Sequence, residues 1–114
     1  MTAYKLNIIN LKLRAFYEAI YSQCLSQTHY NELNAIQKDY KIVCEKIDYA
    51  IDRYIQSDYV TTRNMIKEAA NILDSFDSRL QREPDLTHEM AFCLRIYSRA
   101  TSLDLIDIME EIRK

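Results

Sequence analysis

The residues of this 114-residue chain whose types can do chemistry are two histidines, three cysteines and two rows of carboxylates. His29 and His88 stand at expected helix starts, while Cys24, Cys44 and Cys93 are widely spaced on or beside apolar stripes. A structural zinc site needs four ligands at defined spacings, which this distribution does not supply. A thiol on an apolar stripe behaves as a small buried hydrophobe, and an odd count without C-x-x-C spacing fits a reducing compartment. A carboxylate-bridged di-iron bundle would need inward Glu-x-x-His pairs on two helices. The nearest approach is a single Asp85-x-x-His88, which reads as a helix cap with a solvent-facing histidine. Glu45, Asp48 and Asp52 form one acidic row, and Asp104, Asp107 and Glu111 form another. Such rows are usually solvated helix faces, and carboxylates without a pocket or a partner base make neither a glycosidase nor a protease. The expectation is no metal and no cofactor. A chain with no glycine can hardly build a phosphate-cradling loop.

One short motif offers an enzymatic alternative. Arg82 and His88 resemble, in their separation, the arginine-to-histidine spacing of HEPN-type ribonucleases, which are small α-bundles that dimerise. That resemblance would make the chain a ribonuclease or a toxin–antitoxin component with Arg82 and His88 as the acting pair. Glu83 and Pro84 depart from the pattern, and a polar interhelical loop accounts for the same residues.

The nine tyrosines, with no tryptophan, point instead to surface recognition. Tyrosine has a large apolar body and a polar tip, which suits a surface that is wet when free and covered when bound. Tyr49 and Tyr59 lie off the centre line of the longest apolar stripe, and Ile42 shares the outer face with Tyr49. Tyr17 and Tyr21, with Ile8 and Leu11, give the first helical segment a second apolar edge. Ile42, Tyr49, Tyr59, Tyr17 and Tyr21 are therefore the expected partner-binding residues, in a groove for a partner helix. The competing reading places the rings in the bundle core.

These side chains must be carried on helices. From Tyr30 to Tyr59, Leu33, Ile36, Tyr40, Val43, Ile47, Ala50 and Tyr54 recur at alternating three- and four-residue steps, the period of one helical face. Cys44, Ile51 and Ile55 widen that face, and the segment reads as a spine on which the others pack. A first helix over about Tyr4–Leu25 carries Leu6, Ile9, Leu13, Phe16, Ile20 and Cys24, and Ser26-Gln27-Thr28 follow as loop and cap. Ser57-Asp58 precede a third helix over Tyr59–Gln81, whose Ala69 and Ala70 admit a close neighbour. Pro84 ends it. After a cap at Asp85 or Thr87, a fourth helix shows Leu86, Met90, Cys93, Tyr97 and Ala100, and then the phase breaks. Thr101 and Asp104 have the spacing of a capping box, so a fresh start is expected at Thr101. The fold class is all-α: an antiparallel up-down bundle of four main helices in one domain over 1–114, the last kinked or split near Thr101.

Composition agrees with this reading. Zero glycine and one proline disfavour a sheet with many tight turns. A net charge of −2 with interspersed signs gives no footprint for nucleic acid. The first thirteen residues lack the unbroken apolar centre of a signal peptide, and no run reaches the length of a membrane span, which points to the cytosol. No internal repeat of the tetratricopeptide type is present.

The run DYVTTRNMIKEAANILDSFDSRLQ, from Asp58 to Gln81, resembles the third-helix region of the flagellar secretion chaperone (FliS-like) family, through Ile66, Ala69, Ile72, Asp74, Ser78 and Leu80. Glu89, Ala91, Leu94 and Tyr97 continue the likeness, and LIDIMEEIRK is similar to that family's last helix. The family's second-helix motifs are absent. The resemblance implies a non-catalytic chaperone or co-chaperone that holds helical segments of a flagellar or type III secretion export substrate and prevents premature assembly. Its partner would be that secreted subunit or another chaperone, with a homodimer possible and neither nucleic acid nor membrane involved. A small phage or plasmid regulator acting by protein contact fits the same residues.

Overall fold

The computed structural model describes residues 1–24, 31–80 and 88–112, with side chains described at 1–19, 35–79 and 92–112. These residues form four helices, α1 (Thr2–Cys24), α2 (Asn31–Ile55), α3 (Tyr59–Leu80) and α4 (His88–Glu111), with no strand among them. Each helix packs on its chain neighbours, and α4 closes back on α1. Overall extents are 45 × 21 × 18 Å. The helices have 23, 25, 22 and 24 residues, so the expected thirty-residue spine is corrected. With 25 residues α2 exceeds α4 by a single residue, and Tyr59 belongs to α3.

The reason is a tight turn after Ile55. Ser57 N–H donates to Tyr54 O and Asp58 N–H to Arg53 O, both at 2.9 Å. This pair of bonds is a Schellman closure, with Ser57 at the left-handed position, φ 64°. Asp58 then starts α3: its carboxylate accepts from the Thr61 N–H at 3.3 Å and its carbonyl from the Thr62 N–H at 3.1 Å. Hydrogen bonding from Thr61 holds the Asp58 carboxyl below its ordinary value, and Arg53 adds to this.

The core line of α2 is the expected one: Ile36, Tyr40, Val43, Ile47 and Ala50 are buried. From α3 it receives Ile66, Ala69, Leu73 and Phe76. Ala69 and Ala70 do admit a neighbour, since Ser102 Oγ on α4 donates to Ala70 O at 3.3 Å. One aromatic layer joins all four helices. The Tyr40 ring lies 4.7 Å from Tyr17 and 4.9 Å from Phe76, and Phe16 stacks on Tyr97 at 4.1 Å. Within this layer Tyr40 and Ser98 share a buried hydrogen bond of 2.8 Å between their hydroxyls. Burial pushes the Tyr40 hydroxyl up to about 12, the bond to Ser98 working against the shift.

Of the kink or split expected in α4, the split requires correction. The helix continues through Thr101 without division. Its buried line is Leu94, Ser98, Thr101, Leu105, Ile108 and Ile112, an unbroken alternation of four- and three-residue steps. The apparent break in phase arises because Ser98 and Thr101 occupy core positions as small polar residues. Thr101 is buried and does not start a helix. Cys93 and Ala100, expected on the stripe, are exposed. Cys44 is buried as expected, and burial raises its thiol above the ordinary value while Arg14 opposes the shift.

Candidate interaction surface

With Ser98, Thr101 and Ser102 turned inward, α4 turns large apolar residues outward. Phe92, Ile96 and Leu103 are 54%, 54% and 50% exposed, and the exposed Ala100 lies among them. The same inversion occurs on α1. Asn10 is buried between Leu6 and Leu13, while Tyr4 and Leu11, 64% and 56% exposed, point away from the core. Ile8 is half-buried and Ala15 exposed on the same side. Neighbouring helices thus each carry a second apolar stripe.

Phe92, Ile96, Ala100 and Leu103 line one groove with Asp77 of α3, whereas between α1 and α4, beside Tyr4 and Ile8 of the α1 stripe, lies a separate groove of about 400 Å³. Ile8 and Ile9 from α1 and Ile108 from α4 form its apolar lining, with Tyr4 at its edge. Asp104, Asp107 and Glu111, the carboxyl row expected to be a plain solvated face, line it on the α4 side. Lys5 Nζ donates to both Glu111 carboxylate oxygens, at 2.9 and 3.2 Å. The pair is half-exposed and contributes little to stability.

A second cleft, about 560 Å³, opens between α1 and α2 and is lined by Arg14, Tyr17, Gln37, Tyr40, Lys41 and Cys44 among others. Beside it, Asp48 accepts from Asn10 Nδ2 at 2.6 Å and Arg14 Nη2 at 2.8 Å. This pins one member of the other acidic row to α1. A thiol with a raised pKa is a poor nucleophile at neutral pH, so Cys44 here is a packing residue.

Of the five expected partner-binding residues, the four whose side chains are described are not brought together. Ile42 and Tyr49 are 40% and 48% exposed on the outer face of α2, two turns apart, with the Arg53 guanidinium 6.0 Å from the Tyr49 ring. Tyr59 lies at the α2–α3 turn, 5.4 Å from the Tyr54 ring. Tyr17 packs on Tyr40 and belongs to the aromatic layer. The Tyr21 side chain lies outside the described residues, as do Arg82 and the His88 side chain of the ribonuclease alternative, His29, and the Asp85 or Thr87 cap. Phe92, Ile96 and Leu103 escaped the sequence reading. Their four- and seven-residue spacing was the available signal, but the helix was aligned on Cys93 and Ala100 instead.

Among the described residues no group of three His, Cys, Asp or Glu side chains is placed to hold a metal ion, and no helix is long and apolar enough to cross a membrane. Comparison with protein-family models, curated proteins and solved structures finds no match to this chain.

Proposed function

We propose that this chain is a non-catalytic protein-binding bundle that takes a helical segment of another protein on the outer face of α1 and α4. The observation that carries this reading is the inversion on those two helices: small polar residues occupy core positions while Tyr4, Leu11, Phe92, Ile96 and Leu103 face water. Scattered exposed apolar residues are ordinary, but an apolar stripe on each of two neighbouring helices, each bordering a groove of its own, suits helix-in-groove recognition. An antiparallel up-down arrangement underlies the surface. It is supported by the pairs Lys5–Glu111 and Phe16–Tyr97 between α1 and α4, and Asp39–Arg79 and Lys46–Glu68 between α2 and α3. In each set, residue numbers rise on one helix as they fall on the other. The expected kink in α4 near Thr101 stays part of this proposal, at the level where Ser98, Thr101 and Ser102 are buried.

The chaperone role for an export substrate is the biological form of this reading, in which covering a client's amphipathic segment delays its assembly. Its cytosolic setting is part of the proposal. The test compares what wild-type protein and a Leu11→Asp/Leu103→Asp variant retain from native lysate, identified by mass spectrometry. One abundant protein held by the wild type and lost by an equally folded variant supports the reading. Identical retention by both proteins would remove α1 and α4 as the binding face.

A further inference from the structure

The α1–α4 groove also carries information about the charge of its occupant. We propose that it docks an amphipathic helix whose apolar stripe is bordered by lysine or arginine. This rests on the protein-binding reading above and adds the chemical class of the partner.

Negative charge is left uncompensated beside the apolar floor of this groove. Asp104, Asp107 and Glu111 follow one another at three- and four-residue steps, one above the next along α4. Lys5 is the basic residue lining the groove, and it is engaged by Glu111. Asp104 and Asp107 remain without an ion pair among the described residues, and both are exposed. The groove on the other flank of α4, about 450 Å³, is different. There Arg95 meets Asp77 at 2.5 Å and Arg99 meets Asp74 at 3.7 Å. That surface answers its own charges and sets no sign on a partner.

The lining of the groove runs from Tyr4 to Ile9 on α1 and from Asp104 to Glu111 on α4, roughly 12 Å or two turns of helix. A partner helix laid along it offers apolar residues to Ile8 and Ile9 over about two turns. Its flanking cations reach Asp104 and Asp107 from the α4 side. An anionic helix meets like charge at the same place, which suppresses it by repulsion. The phosphates of a nucleic acid or of an anionic lipid surface are opposed for the same reason.

The test uses three labelled synthetic helices of roughly 18 residues, about 27 Å and so longer than this span at both ends. They share one leucine stripe and carry lysine, glutamine or glutamate along its borders. Binding to the full chain is read by fluorescence anisotropy at moderate salt. The lysine peptide is expected to bind at least tenfold tighter than the glutamate peptide, with glutamine between them. In an Asp104→Lys/Asp107→Lys variant, shown by circular dichroism to keep its helix content and thermal midpoint, the order should reverse. Equal binding of all three peptides defeats the charge inference and leaves the helix-binding reading standing. Absence of binding by any of them defeats both. A lysine preference that persists in the variant places the site elsewhere and overturns the proposal. So does a wild-type chain that sediments as a dimer and is made monomeric by Asp107→Lys, since the groove's occupant would then be a second copy.

Discussion

The α2–α3 pair and the α1–α4 pair use helices of nearly equal length but divide their residues between core and water differently. In α2 and α3 the core line is almost wholly apolar, from Ile36 to Ala50 and from Ile66 to Phe76. Past its first turn α3 exposes no large hydrophobic residue among those described, and the two exposed on the body of α2, Ile42 and Tyr49, stand apart from each other. In α1 and α4 the pattern is partly inverted: Asn10, Ser98, Thr101 and Ser102 face inward, and five large hydrophobics face out. Burying those five in place of the polar residues would gain stability at roughly 25 cal/mol per Å² of apolar surface. The α1–α4 pair forgoes that gain along the bodies of its helices, whereas the α2–α3 pair does so chiefly at its turn, where Ile55, Tyr59 and Val60 are exposed and Thr62 is buried. The α2–α3 pair is thus the stabilising half of the bundle, and the α1–α4 pair supplies the surface.

The strongest way to break this division is to weaken the stabilising half. Phe76 is fully buried in the aromatic layer against Tyr40. Phe76→Ala should cost about 3–5 kcal/mol in urea denaturation. A cost below about 1 kcal/mol would mean that the α2–α3 core is not the principal source of stability.

The bond between Tyr40 and Ser98 ties the two halves together, and its loss should come next in size. Tyr40→Phe leaves the Ser98 hydroxyl buried without that partner, at a cost of about 1–3 kcal/mol, and adding Ser98→Ala should recover part of it. The same hydroxyl predicts a dependence on alkaline pH. Its pKa in the folded chain is about 12, above the unfolded value of 10.0, so the folded state holds the proton longer. Stability from this group is complete below pH 10 and is lost as pH rises from 10 to about 12. Tyr40→Phe should flatten that decline in thermal midpoint relative to wild type, and an unchanged slope would show that Tyr40 does not govern it.

How far each half was legible in the sequence follows from the same division. The line through Ile36, Tyr40, Val43, Ile47 and Ala50 could be read directly because hydrophobic character and burial coincide there. In α4 they do not coincide. Ser98 and Thr101 look like surface residues, Phe92 and Ile96 look like core, and periodicity alone therefore placed a helix boundary at a buried threonine. The groove was hidden for another reason. Its acidic row was visible, but Lys5, Ile8 and Ile9 reach it from about a hundred residues away, through packing that no local spacing records.

The end of α2 gives a smaller test, on the stabilising side. Ser57 holds φ at 64°, where a side chain crowds the backbone and glycine does not. Ser57→Gly should therefore raise stability by roughly 0.5–1 kcal/mol, less than the full left-handed penalty because glycine also frees the unfolded chain. A loss of stability would mean that the serine side chain makes a compensating contact at the turn.

The smallest expected effect on stability is also the one that discriminates best between the two halves. Leu11 faces outward from α1 and is 56% exposed, so Leu11→Asp removes little buried contact and should change the unfolding free energy by no more than about 0.5 kcal/mol. The corresponding change inside the core, Leu13→Asp two residues further on, places a carboxylate at a fully buried position and should prevent folding at neutral pH. Both are leucines on one helix, and only their orientation separates them. If Leu11→Asp proves as destabilising as a core substitution, α1 rests on something at its outer face and is not a free surface. If it leaves the fold intact and removes partner binding, the outward leucine serves recognition at almost no cost to the core.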